Sequence, residues 1–145
     1  MSTTKENKAP TWFMVVVAVL FAWNLLGVMS YLVEVTMDPV VIAELPNARL
    51  QLDITKPAWA TAAFAVAVNG GALGCLLLLL KRNLAGLFLQ VSLAGVLVHM
   101  FYTFFISESS EVFSPGNLVM PVMVVVIAVY LVILAAKAKA NHWTV

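Results

Sequence analysis

Residues 59–83 read WATAAFAVAVNGGALGCLLLLLKRN. The run from Trp59 to Leu80 contains no Lys, Arg, Asp or Glu, and a basic turn, Lys81-Arg82-Asn83, follows it directly. A transmembrane helix needs about 20 predominantly apolar residues to cross roughly 30 Å of hydrocarbon. The stretch therefore predicts a membrane-spanning helix. Because a further apolar run begins at Leu84, the turn predicts an antiparallel helical hairpin.

Four such runs occur in the chain. They extend over about 12–32, 59–80, 84–106 and 118–136. Apolar residues make up 63% of the sequence and charged residues only 10%, against about 25% charged residues in a soluble domain. In lipid, each segment must satisfy its own backbone hydrogen bonds, which favours helices. We therefore expect an all-α, integral membrane four-helix bundle, with residues 1–145 as a single domain.

The distribution of Lys and Arg predicts the orientation. Six basic residues fall on one side of the predicted spans: Lys5, Lys8, Lys81, Arg82, Lys137 and Lys139. The other side carries only Arg49 and Lys56, together with most of the acidic residues. Basic loops stay in the cytoplasm, so both termini are expected to be cytoplasmic, in a bacterial inner membrane. In the first outer loop, Asp38-Pro39 predicts the start of a short surface helix that ends at Pro46.

Two of the spans share a pattern. The first reads Asn24-Leu-Leu-Gly27-Val-Met-Ser-Tyr31, and the third reads Ser92-Leu-Ala-Gly95-Val-Leu-Val-His99. Each stretch begins with a small hydrogen-bonding residue, has Gly at the fourth position and ends with a ring that can form hydrogen bonds. A parallel internal repeat and a chance match both explain the pattern. Many transporters are built from repeats, with the binding site where the repeats meet.

Polar side chains within the spans are the candidate binding residues, because such groups usually face other helices rather than lipid. We expect them to line an uncharged pocket that opens outward and suits a small neutral solute: Asn24, Tyr31, Asn69, Ser92 and His99. The alternative is that they only form hydrogen bonds between helices. Glu34, at the outer end of the first span, is expected to be solvated.

Glycines within the spans are candidate helix-packing positions, because small residues let helices approach closely. They are Gly27, Gly70, Gly74 and Gly95. Gly70 and Gly74 form a small-xxx-small pair, and a homo-oligomeric contact around them is one expectation. The lone Cys75 excludes an intrachain disulfide and is expected to be a buried apolar side chain.

No set of residues suggests catalysis. The sequence has no nucleophile with a base and an orienting group, so we expect no enzyme activity. His99 is the only histidine within a span, and His142 lies on the opposite side, which disfavours haem. We expect no metal or other cofactor. Membrane lipid is the expected partner, and the short basic tails do not suggest nucleic-acid binding.

Several motifs resemble a family of small bacterial four-span membrane proteins commonly labelled "sugar transporter". They are Trp23-Asn24-Leu25-Leu26-Gly27, Pro57-Ala58-Trp59-Ala60, Gly70-Gly71-Ala72-Leu73-Gly74, Phe104-Phe105-Ile106-Ser107 and Met120-Pro121. The resemblance covers nearly the whole chain and implies transport of a small neutral solute, without assigning a role to any residue. The leading prediction is a transporter or facilitator of a sugar-like solute. The alternative is a non-transporting protein that supports a partner complex or the envelope, and a membrane enzyme or redox subunit that uses His99 is the third possibility.

Overall fold

A computed structural model describes residues 8–38, 40, 41, 44, 56–106 and 115–145. Within these residues the chain forms four long helices: α1 (Thr11–Thr36), α2 (Ala58–Leu79), α3 (Ala85–Phe101) and α4 (Pro115–Ala140). A π-helical turn, Tyr102–Ile106, extends α3. Each helix is long and apolar enough to cross a membrane. The all-α prediction is thus confirmed for the described part of the chain, which is a multi-pass membrane protein.

The helices extend beyond two of the predicted spans. The first and last runs were expected to end at Leu32 and Ala136, where charged residues approach, but α1 continues to Thr36 and α4 to Ala140. A charged residue ends an apolar run without ending a helix, since the backbone hydrogen bonds continue into the headgroup region. The ends of α2 and α3 lie within one residue of those expected.

The helix α2 lies between α1 and α3, and α4 packs mainly on α3. The start of α1 and the C-terminus lie at one end of the bundle, together with the Lys81-Arg82-Asn83 turn, because Trp143 contacts Trp12 with ring centroids 6.0 Å apart and the N–H of Val145 donates to the carbonyl of Lys81. We call this the basic end and the opposite one the loop end.

The apolar core is concentrated near the basic end. All four helices contribute to it, and its largest fully buried side chains are Phe13, Val17, Cys75, Leu78 and Leu89. The outward faces carry many exposed Val, Leu, Met and Phe side chains. A lipid environment accommodates such a surface, because lipid tails are as apolar as these side chains.

At the basic end, α2 and α4 end in the same way. The N–H groups of Lys81 and Arg82 donate to the carbonyls of Leu78 and Leu77, and those of His142 and Trp143 donate to the carbonyls of Lys139 and Ala138. Lys81 and His142 both have positive φ, at 56° and 55°. These are two Schellman motifs, which usually carry glycine at the left-handed position. Neither position is glycine here, so these helix endings could not be recognised from the sequence.

At the loop end, the structure describes some of the first residues of the predicted surface helix that begins at Asp38-Pro39. Oδ1 of Asp38 accepts a hydrogen bond from the N–H of Val40 at 2.9 Å, and residues 40 and 41 are helical. This is the expected capping bond. The rest of the predicted surface helix, up to Pro46, lies outside the described residues.

Candidate functional site

The two stretches that share a sequence pattern both pack against α2. Each of the three matching residue pairs contacts α2 at the same height as its counterpart. The pairs are Asn24 with Ser92, Gly27 with Gly95, and Tyr31 with His99. We call these levels the polar tier, the glycine tier and the ring tier, in order from the middle of the bundle towards the loop end.

In the polar tier, Asn24 and Ser92 meet at Gly71. A Cβ atom on Gly71 would overlap Oδ1 of Asn24 and would lie 3.3 Å from Oγ of Ser92. Nδ2 of Asn24 donates to the carbonyl of Leu20 at 2.8 Å and contacts Sγ of Cys75 at 3.6 Å. Because Nδ2 makes both hydrogen bonds, Oδ1 is the atom that faces Gly71.

Ser92 is buried in the same tier and has a defined partner. Its Oγ donates to the carbonyl of Ala67 at 2.5 Å, so the hydroxyl links α3 to α2. A hydroxyl has two lone pairs besides its proton, so it still accepts after making this bond. The polar tier therefore presents acceptor atoms from α1 and α3 on opposite sides of a residue that has no side chain.

In the glycine tier, α1 and α3 each pack closely on α2. A Cβ on Gly27 would lie 3.1 Å from Cγ1 of Val68, and one on Gly95 would lie 2.8 Å from the carbonyl oxygen of Ala63 and 2.9 Å from the nitrogen of Ala67. The contact of Gly95 is with backbone, which cannot rotate away. Close approach of α1 and α3 to α2 depends on these two glycines.

The ring tier contains Phe64 between Tyr31 and His99. The Phe64 and His99 rings are stacked with centroids 5.1 Å apart, and the Tyr31 and Phe64 rings meet edge to face at 6.0 Å. Nδ1 of His99 is buried. Tyr31 and His99 thus both contact the ring of Phe64, above the polar tier. We call the three tiers together the column.

An ion pair lies beside the ring tier at the loop end. Nζ of Lys56 is 3.0 Å from Oε1 of Glu34, and their side chains are only 5% and 17% exposed. The same Nζ lies 5.4 Å from the centroid of Phe64. The expectation that Glu34 is solvated is therefore wrong. Lys56 precedes α2 by two residues and joins the end of α1 to the start of α2.

Asn69 does not lie in this column. It is exposed on the outer face of α2, where Nδ2 donates to the carbonyl of Ala65 at 2.9 Å. The structure therefore does not bring Asn69 together with Ser92 and His99, as was expected from the sequence. A step of one residue turns a helix by about 100°, so Gly70 and Gly71 face inwards while Asn69 faces outwards.

Gly70 and Gly74 are buried against α3. A Cβ on Gly70 would lie 3.2 Å from Cβ of Ser92, and one on Gly74 would lie 2.5 Å from Cδ2 of Leu89. This pair lets α2 and α3 pack closely within one chain. Since α3 covers this face, the structure gives the two glycines a contact within one chain, where a contact between copies was expected from the sequence.

Sequence reasoning missed Phe64, Lys56 and Gly71. The repeated spacing of residues 24, 27 and 31 and of 92, 95 and 99 was the signal that could have found two of them. A helix that packs between two such stretches presents residues at the same intervals, and Phe64, Val68 and Gly71 have that spacing on α2. Nothing in the local sequence marks Lys56 as buried.

The site contains no arrangement typical of a metal centre. Among the described residues, no group of three or more His, Cys, Asp or Glu side chains is placed to hold a metal ion. What the column offers is amide and hydroxyl groups at mid-depth, aromatic rings above them, and a neutralised ion pair at the loop end.

Comparisons of the chain with protein-family models, with curated proteins and with solved structures find no match. They identify no family, so the resemblance to the four-span family labelled "sugar transporter" stays a prediction. The shape and chemistry of the three tiers carry the functional argument.

Proposed function

We propose that this protein is a small transporter or facilitator that moves a small neutral polar solute, with sugars as the first class to test, across the bacterial inner membrane. The solute would enter at the loop end, pass the ring tier and bind at the polar tier. The observation that carries the proposal is the convergence of Asn24 and Ser92 on Gly71, in the middle of the bundle and directly below Tyr31, Phe64 and His99.

The chemistry of the column favours a neutral solute. The polar tier consists of an amide and a hydroxyl, which donate and accept hydrogen bonds without carrying charge. The Glu34–Lys56 pair at the loop end is neutral as a unit. A charged solute would lose its hydration at the polar tier without meeting an opposite charge, and such burial is costly.

The distribution of polar and apolar groups supports a pathway that is closed towards the basic end. Below the polar tier, the side chains of Phe13, Val17, Leu78 and Leu89 fill the space between the helices. We expect this end to face the cytoplasm because of its Lys and Arg bias. Transport would require this apolar core to open.

Counterflow into proteoliposomes tests the proposal. The wild-type protein is expected to accumulate at least one labelled sugar or polyol above empty liposomes, and Asn24→Leu is expected to abolish this flux because it removes the amide from the polar tier. The matched control is Gln90→Leu, which removes an amide from the exposed face of α3 and should leave the flux unchanged.

Two further measurements distinguish a loss of transport from a loss of folding. Thermal unfolding of Asn24→Leu shows whether the variant is folded, and Ser92→Ala provides a second change within the polar tier. Equal flux in wild type, Asn24→Leu and Ser92→Ala would rule out a pathway through the polar tier. No flux of any solute from folded wild-type protein would reject transport altogether.

The second candidate function is a non-transporting membrane protein that supports a partner complex or the envelope. The observation in its favour is that the donors of the polar tier are already used within the chain, by the bond from Ser92 to Ala67 and the bond from Asn24 to Leu20. In that case the polar tier holds the helices together, and Asn24→Leu would lower the melting temperature while no solute is transported.

A further inference from the structure

The outer face of α2 carries a regular stripe of exposed residues. They are Ala62, Val66, Asn69, Leu73, Leu76 and Leu80. Their spacing alternates between four and three residues, which is the spacing at which two helices pack along a shared seam. In the described residues, α1, α3 and α4 leave this face of α2 uncovered.

Asn69 is the polar residue within this stripe, and it lies at the middle of α2. It is eleven residues from Ala58 and ten from Leu79, which places it roughly 15 Å from either end of the helix. In the described part of the chain its side chain makes one hydrogen bond, to the carbonyl of Ala65 within its own helix. Oδ1 and the second amide hydrogen therefore face outwards at mid-membrane depth.

An amide at this depth needs a partner. Lipid tails offer no hydrogen bonds, and polar side chains in membranes usually face another helix or a polar cavity. The side chain of Asn69 is too short to reach the headgroup region from the middle of the helix. Gln90, which is also exposed, lies only five residues from the start of α3, about 8 Å from its end, and its longer side chain can extend towards the headgroups.

We propose that the stripe on α2 binds a second copy of this chain, with the two Asn69 side chains hydrogen-bonded to each other across a two-fold axis along the membrane normal. An asparagine amide is self-complementary, since each one offers both a donor and an acceptor. A two-fold axis brings each residue opposite its own counterpart at the same depth. One asparagine within an apolar seam is a known means of fixing helix register and partner number.

The two copies run parallel in this dimer. Lys and Arg are concentrated at the basic end of the chain, so every copy inserts with the same orientation. The seam then pairs Val66 with Val66 on one side of Asn69 and Leu73 with Leu73 on the other. This interface is separate from the three tiers and does not rest on the proposed transport function.

Cysteine cross-linking of the full chain in membranes tests the seam. We expect Val66→Cys and Leu73→Cys to form disulfide-linked dimers on mild oxidation. The matched control is Val91→Cys on the outer face of α3, which is 46% exposed against 43% for Val66 and should stay monomeric. The native chain, in which Cys75 is buried, gives the background.

A second measurement tests how much the side-chain amide of Asn69 contributes to the association of two copies. Asn69→Leu is expected to lower the association constant of the dimer about ten-fold, as measured by energy transfer between labelled copies in liposomes. The fold of each chain should be unaffected, since the only described bond of Asn69 lies within its own helix. Asn69→Gln should retain most of the association.

Three results would overturn the proposal. They are cross-linking at Val91 as strong as at Val66 and Leu73, association that is unchanged in Asn69→Leu, and disulfides from Val66→Cys to a different protein with none to a second copy. The last result would assign the stripe to another membrane helix.

Discussion

Gly95 is the residue where α3 comes closest to the backbone of α2. The atoms that a Cβ would meet there, the carbonyl oxygen of Ala63 and the nitrogen of Ala67, belong to the main chain of a packed helix. A methyl group can be accommodated only if α3 moves away from α2. The bond from Ser92 to Ala67, one turn below, would be stretched by the same movement.

We therefore expect Gly95→Ala to destabilise the protein by about 1–3 kcal/mol, the usual cost of overpacking. Gly86→Ala is the matched control on the same helix, because nothing lies within 4 Å of the position of its Cβ. Helix propensity favours this control change by up to about 1 kcal/mol. Thermal unfolding in detergent compares the two variants, and equal losses would contradict the close contact at Gly95.

At the scale of elements, the connection between α1 and α2 depends on the Glu34–Lys56 pair. Both side chains are largely buried, and Lys56 also faces the ring of Phe64. Removal of one partner from a buried pair leaves an uncompensated charge, which costs about 3–5 kcal/mol, whereas removal of both can be nearly neutral. The pair therefore fixes the position of α1 relative to α2 at the loop end.

A double-mutant cycle checks this interpretation. Glu34→Gln and Lys56→Met should each cost about 3 kcal/mol in the free energy of unfolding, and the double variant should cost clearly less than the sum. Met keeps much of the apolar stem that packs near Phe64. Strictly additive losses would mean that the two charges do not interact energetically.

The pattern shared by the first and third spans has a structural counterpart at the scale of elements. In the described residues, α1 and α3 run in the same direction on either side of α2 and use matching positions against it. The helices that follow them, α2 and α4, both end in Schellman motifs at the basic end. Both observations agree with a parallel repeat of two helices.

For the whole molecule, the orientation in the membrane follows from charge. The start of α1 and the C-terminus lie beside the Lys81-Arg82-Asn83 turn, and we expect this end of the bundle to face the cytoplasm because of its basic residues. An impermeant maleimide added to intact cells should label Glu44→Cys at the loop end. It should label Ala140→Cys only after the membrane is permeabilised. The reverse labelling pattern would show that the loop end, and not the basic end, faces the cytoplasm.

Part of this architecture could be predicted from the sequence. Apolar runs define the four spans, because the free energy of inserting a segment depends on its composition and length rather than on its neighbours. Polar side chains within the spans were also predicted to lie together, and of these the structure brings Asn24 near Ser92 at Gly71, and Tyr31 and His99 to the ring of Phe64. Burial of Lys56 could not be predicted, because its partner Glu34 is 22 residues away.

The sequence by itself determined that the described helices lie in lipid and how many of them there are. It also determined that basic residues are concentrated at one end. The tertiary structure alone decided which face of α2 each residue occupies. The helix α2 is apolar on every side, so periodicity does not distinguish its inner face from its outer face. Only packing against α1 and α3 places Gly71 in the polar tier and Asn69, two residues earlier, on the outside.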